Sequence, residues 1–199
     1  MASPKSIEDY KERIAALQAQ VQLLQERLVT DELTQILNRR GLMEYLEAIA
    51  NEVRYQFKHP DKRRSVVIKA LSIIFLDIDF FKKINDTHGH DAGDDVLRQT
   101  AELIQGEVRQ LDIVGRYGGE EIVVGLVGAS GEHSTRIAEN LRRVIEEHDF
   151  IVQNSTVKVT ASLGVAELHG EDTIAAVLKR ADEALYEAKQ TGRNKVVVS

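Results

Sequence analysis

Cysteine is absent from this 199-residue chain, which excludes a disulfide framework and thiol chemistry. Aromatic residues are 5% of the chain against 43% hydrophobic residues in all, so a sizeable core has to be built from aliphatic side chains. No excess of positive charge exists either. The 26 Lys and Arg residues face 32 Asp and Glu, and a net charge of −6 argues against nucleic acid as the main partner. The short basic run KHPDKRR, Lys58 to Arg64, contains Pro60 and reads as a solvated loop. No apolar run is long enough to span a bilayer, and the N-terminus lacks the apolar core of a signal peptide. Membrane insertion is therefore not expected, and the cytoplasm is the default location. Internal repeats and low-complexity segments are lacking too. The length suits one compact domain with an appendage.

The appendage comes first. Residues 5–30 contain neither proline nor glycine. Ile7, Ile14, Val21 and Leu28 form one apolar series, and Tyr10, Leu17 and Leu24 form the second. Alternating spacings of three and four define a coiled-coil seam, and the β-branched bias of the first series favours two parallel strands. This predicts an N-terminal coiled-coil helix over 1–30 that makes a homodimer, with an amphipathic helix folded back on its own domain as the alternative. A seam starting so near residue 1 also implies an upstream sensor.

The remainder, 31–199, alternates element types. LTQILNRRGLMEYLEAIANEV reads as helix, ALSIIFLDID as a buried strand, and AGDDVLRQTAELIQGEV as helix. DIVGRYGGEEIVVGLV reads as a hairpin whose Gly-Gly tip uses positive φ. HSTRIAENLRRVIEEH is expected as helix, STVKVTASLGVAEL as one strand, and TIAAVLKRADEALYEAKQ as the last helix before KVVVS. The expected fold is an α/β sandwich whose mixed, largely antiparallel sheet is flanked by helices.

The chemistry gathers where the buried strand ends, at Asp77 and Asp79. A carboxylate leaving an apolar strand is poorly solvated unless a cation or donor meets it. The two can share a face, since alternate strand residues do. Asp79 stands where the turn FFKK needs an N-cap, and that reading is preferred to metal ligation. A helical turn there would offer the N–H groups of Phe80, Phe81 and Lys82 to an anion, as a metal–triphosphate requires. If the hairpin strand lies beside the buried one, Asp77 and Glu120 converge on a divalent ion, while Glu121 has a different role. His88 and His90 lack a third clustered partner and read as loop residues rather than a metal site.

Several ordered motifs resemble the GGDEF-domain diguanylate cyclases: DELTQILNRR, DIDFFKKINDTHGHDAGDDVL, RYGGEEI, ASLGVA and RADEALYEAKQTGRN. The sequence departs from the family at Ile122, where Phe is usual, and carries a long segment before the buried strand, HPDKRRSVVIKA. The resemblance implies a nucleotidyl-cyclase, polymerase-palm-like fold and condensation of two GTP into cyclic di-GMP. It implies Mg²⁺ or Mn²⁺, two per half-site, held by Asp77, Glu120 and the Ile78 carbonyl. Glu121 would be a further ligand or would help deprotonate the attacking hydroxyl. Phe80, Phe81, Lys82, Lys189 and Arg193 would hold phosphates; Asn85 and Asp94 would read guanine, with Leu97 packing the base. Arg109 and Asp112 in RQLD resemble the family's product-inhibition motif, with Asn140 standing where a second arginine can occur.

Overall fold

The computed structural model describes residues 10–18, 29–59, 68–153 and 155–199. Its centre is β1 (Leu71–Ile78), a run of eight residues buried on both sides. Alternate residues of a strand face opposite ways, so a strand buried throughout needs a helical layer on each face. Ile74, Leu76 and Ile78 pack against α3 (His90–Glu107) and α4 (Gly131–Glu147). Leu71, Ile73 and Phe75 pack against α1 (Arg39–Lys58) and α5 (Ile174–Gln190). Each fully buried Leu or Ile in these layers stabilises the fold by about 2 kcal/mol relative to leaving it exposed.

The sheet has the order β2-β3-β1-β6-β7. β2 (Ile113–Gly118) and β3 (Glu121–Val127) form the expected hairpin, and β3 and β6 (Ala161–Glu167) flank β1 antiparallel. Among the strands of the described residues, β7 (Val196–Val198) alone runs parallel to its neighbour. The sheet is mixed and largely antiparallel, as the sequence indicated. A short helix, α2 (Phe81–His88), follows β1 and leads through Gly89 into α3. At β6 the α5 backbone lies almost on the sheet. A Cβ on Gly164 would stand 2.0 Å from the Ala181 carbonyl oxygen and 2.3 Å from the Leu185 nitrogen.

Two expectations are corrected. The first helix starts at Arg39 rather than at Leu33, because Asn38 caps it by accepting the Gly41 N–H at 3.0 Å. The residues before it pair instead: Leu37 bridges to Thr30 and to Gly115 of β2. The strand expected over 155–168 is two strands. β5 (Ser155–Val157) pairs with β4 (Phe150–Val152) in a separate two-stranded sheet, and β6 starts at Ala161. Between them the Thr160 carbonyl accepts the Asp79 N–H, and the Thr160 hydroxyl donates to the Asp79 carboxylate. Those bonds turn the chain from one sheet to the other.

Residues 10–18 are helical, with Tyr10, Ile14 and Leu17 all exposed. The other seam residues, Ile7, Val21, Leu24 and Leu28, lie outside the described residues, as do 60–64 of the basic run. No helix among the described residues is long and apolar enough to cross a membrane.

Candidate active site

The carboxylates gather at the end of the sheet where β1 runs out. The register sets Asp77 opposite Glu121, not Glu120, which precedes β3 in the hairpin turn. Residues directly opposite in an antiparallel pair project to the same face. Glu120 is nevertheless close enough for its charge to act on both neighbours. Burial pushes the Asp77 carboxyl up to about 6, with Glu120 and Glu121 adding to the rise against the opposing pull of Lys189. Burial also raises Glu121, helped by Asp182 and Glu120 and opposed by Lys189 and Arg39. Lys189 Nζ stands 2.8 Å from Asp77 Oδ2, so the lysine expected on phosphates is here the counter-ion of the buried acid. Asp182 shares the helical stripe of Lys189 at a spacing of seven; that spacing was the signal by which the sequence could have shown it.

The hairpin tip corrects the reading of its glycines. Neither Gly118 nor Gly119 adopts a left-handed φ. A bulge between Arg116 and Gly118 closes the turn instead. At Gly118 a Cβ would stand 2.7 Å from Glu121 Oε2, so the missing side chain leaves room for a carboxylate. The tip is gripped from outside. Arg116 donates to the Gly119 carbonyl through Nε at 3.0 Å and Nη2 at 2.8 Å, and its Nη1 reaches Asp31 at 3.2 Å. Burial pulls the Asp31 carboxyl up, but the Thr34 hydroxyl and amide and the Arg116 guanidinium outweigh it and hold it below its ordinary value. Arg39 lies over the Tyr117 ring at 4.3 Å. The sequence reading missed Asp31, Arg39 and Arg116, although all three sit inside the motifs it singled out.

Asp79 is not an N-cap. Phe80 occupies that position in the left-handed region (φ 57°, ψ 26°) without a side-chain cap. The Asp79 carboxylate, 4% exposed, points across the sheet and accepts from Thr160, Ser162 and the Asn194 backbone. The first amides of α2 have no acceptor within the helix, as at any helix start. Lys82 is exposed beside them, and Arg193 lies over the Phe80 ring at 4.6 Å.

On the far side of α2, Asn85 Oδ1 is buried with no hydrogen-bond partner and lies against Gly93, the neighbour of Asp94. The α2–α3 contact thus brings Asn85 and Asp94 together, with Leu97 buried one helical turn beyond. An orphaned buried acceptor beside a partly exposed carboxylate suits a ligand that brings its own donors.

Arg109 and Asp112 occupy the turn between α3 and β2. Asp112 accepts the Arg109 and Val127 N–H groups, both at 2.9 Å. Asn140 donates to Glu107 at 2.6 Å and accepts from Arg143 at 2.8 Å. His88 and His90, at the facing ends of α2 and α3, are exposed.

The donor set fits a hard divalent cation. Asp77, Glu120 and Glu121 offer oxygen only, and their mutual repulsion is relieved by positive charge. Among the described residues no group of three or more His, Asp or Glu side chains could hold a metal ion by itself. Magnesium commonly takes one or two carboxylates and completes its shell with substrate phosphates and water.

Comparison with known proteins identifies the family. The family model described as diguanylate cyclase, GGDEF domain, matches residues 28–195. Diguanylate cyclase A of Treponema denticola is 36% identical over 204 residues, covering 100% of this chain and 54% of the relative. The response regulator PleD of Caulobacter vibrioides is 43% identical over 175 residues, covering 86% of this chain and 36% of its own length. The chain therefore spans about half of one relative and about a third of the other. The crystal structure of the coiled coil and GGDEF domain of DgcB from Caulobacter crescentus, in complex with c-di-GMP, superposes with a TM-score of 0.86. It is 26% identical, with 97% of each chain covered. The active GGEEF domain of a Vibrio cholerae diguanylate cyclase is 36% identical with a TM-score of 0.71, covering 82% of this chain and 97% of that one. By sequence, this chain belongs to the diguanylate cyclase GGDEF-domain family.

Proposed function

We propose that the chain is a diguanylate cyclase that condenses two GTP into cyclic di-GMP and two pyrophosphates, each domain presenting one GTP to the other. The observation that carries this is the carboxylate pair at the end of β1, Asp77 across from Glu121, beside a cation on α5 and the amide-rich start of α2. Asp77, Glu120, Glu121 and the Ile78 carbonyl would hold Mg²⁺ or Mn²⁺, two per half-site, lowering the pKa of the attacking hydroxyl and neutralising charge at phosphorus. The protein groups do the rest. The Phe80, Phe81 and Lys82 amides, with the Lys82, Lys189 and Arg193 side chains, hold the phosphates. Asn85 and Asp94 take the guanine edge: a carboxylate accepts the ring N–H and exocyclic amine together, a pattern adenine does not offer. Leu97 packs the base. Where it is not a metal ligand, Glu121 would receive the 3′-hydroxyl proton as that oxygen attacks the facing α-phosphate.

The N-terminal heptads supply the encounter. A parallel coiled coil over 5–30 raises the effective concentration of one domain for the other. Its deletion is expected to lower dimer content and specific activity at dilute protein, read by light scattering. Cyclic di-GMP binds back at Arg109, where the planar guanidinium grips a guanine edge or phosphate. Asp112 keeps the turn in shape through the two amides it accepts and is a weaker ligand for that reason. Arg109→Ala is expected to relieve product inhibition; equal inhibition of both proteins would place the product at the active site. The work is cytoplasmic, where GTP is found. Incubation with GTP and Mg²⁺, followed by chromatographic separation of the nucleotides, tests the activity directly. Absence of cyclic di-GMP from a folded, metal-supplied dimer would sink it.

A further inference from the structure

We propose that Asp79 is a positioning residue for the phosphate grip, acting through the turn that carries Arg193. This rests on the diguanylate cyclase reading, in which Arg193 meets phosphate. Two segments with unfavourable backbone geometry face each other here. Phe80 is left-handed at φ 57°, and so are Arg193 at φ 61° and Asn194 at φ 45°. Such conformations are uncommon for residues with side chains and persist only where the surroundings over-determine them.

Asp79 is the element the two segments share. It directly precedes Phe80, and its Oδ2 accepts the Asn194 N–H at 3.0 Å and the Thr160 hydroxyl at 2.7 Å. Its Oδ1 accepts the Ser162 hydroxyl at 2.7 Å, and its own N–H donates to the Thr160 carbonyl at 2.8 Å. One buried carboxylate thereby fixes the end of β1 to the start of β6 and to the turn after α5. Arg193 is caught between two anchors. Its N–H closes the α5 terminus by donating to Ala188 at 3.0 Å, and the next residue is held by Asp79. The side chain then lies over Phe80, its charge beside the open amides of α2. The Asn194 side chain is held separately, by Arg142 at 2.8 Å and Glu146 at 2.7 Å, which leaves its backbone N–H to Asp79.

Buried and already holding three donors, the carboxylate works by placing Arg193 rather than by meeting substrate. Losing it frees the turn and spreads the guanidinium over many positions, which weakens nucleotide binding more than it slows bound nucleotide.

The test is calorimetric titration of the full chain with Mg²⁺ and 3′-deoxy-GTP, which lacks the attacking hydroxyl and cannot turn over. Asp79→Asn is expected to bind about tenfold more weakly, and Thr160→Val about fivefold, as charge-assisted bonds are lost. Thr160→Ser keeps the hydroxyl and restores wild-type affinity. In an Arg193→Ala background Asp79→Asn adds no further loss, since both changes act through one group. Without nucleotide, amide exchange at Asn194 accelerates in Asp79→Asn and Thr160→Val. Wild-type affinity in both variants, or losses that add fully to that of Arg193→Ala, would overturn the positioning role. A wild-type protein that protects the Asn194 amide yet binds no 3′-deoxy-GTP would overturn the nucleotide reading, and this role with it.

Discussion

The two ends of β1 are made differently. At the Leu71 end the described polar groups find hydrogen-bond partners within the fold. Ala70 and Leu71 accept from Gly128 and Leu168, and the buried Ser72 hydroxyl donates to Ala129 at 2.9 Å. At the Asp77 end, carboxylates crowd together, a lysine serves as counter-ion and the chain turns left-handed at Phe80. Both ends are buried between the same helical layers, so burial alone does not mark a site. The difference lies in how completely the polar groups are satisfied. The closed end is architecture, and the open end is where the proposed site lies.

Changes at the open end are expected to cost most in activity. Glu120→Gln keeps shape and removes a charge, and cyclic di-GMP synthesis should fall by about 10²-fold or more while circular dichroism stays native. Near-normal synthesis would remove Glu120 from the metal set. Asp94→Ser takes away the paired acceptor for guanine. Preference for GTP over ATP, measured in mixed-nucleotide competition, should drop by about tenfold or more. Arg116→Ala releases the Gly119 carbonyl and leaves Asp31 without its partner, and denaturant melts should show a loss of about 1–2 kcal/mol with a lower kcat. At the closed end Ser72→Ala strips the Ala129 carbonyl of its donor. It should cost about 1 kcal/mol in the same melts and leave kcat and KM alone. A drop in activity matching that of Arg116→Ala would erase the contrast between the ends.

A subtler difference is expected in acid. The Asp31 carboxyl is held below its unfolded value of 3.8 by Thr34 and Arg116. A depressed carboxyl contributes stability above its unfolded pKa and loses it as pH falls through the folded one. Asp31→Asn should thus flatten part of the fall in stability below pH ~4, seen in urea melts across that range. An unchanged slope would show that the clamp carries no charge-linked stability.

Much of this architecture was legible because long apolar periods mark long elements. β1, the hairpin strands and the helices from α3 to α5 all stand where their patterns put them. What the sequence hid was pairing. Whether Glu120 or Glu121 faces Asp77 depends on the β1–β3 register, which runs unbroken from Leu71 opposite Val127 to Asp77 opposite Glu121, and a one-residue slip would reverse which side chains share a face. The partners of Asp79 are 81, 83 and 115 residues away, beyond any local rule, so a capping role looked natural from its neighbours alone. Leu37 belongs to a helical pattern by period but is claimed by β2. Lys189 was legible as a cation of the site, but not as the partner of Asp77, because that contact needs the helix seated on the sheet.

The seating itself rests on Gly164. Because the α5 backbone occupies the space a methyl group would take, helix and sheet touch through atoms that have no rotamers to adjust. Such a contact behaves as a rigid bearing: α5 cannot tilt or roll without lifting off β6. Lys189 and Arg193 lie within the next turns of that helix and just past its end, so their distance to Asp77 and Phe80 is set by backbone on backbone. A single added carbon at position 164 would shift the cationic half of the site away from its acidic half.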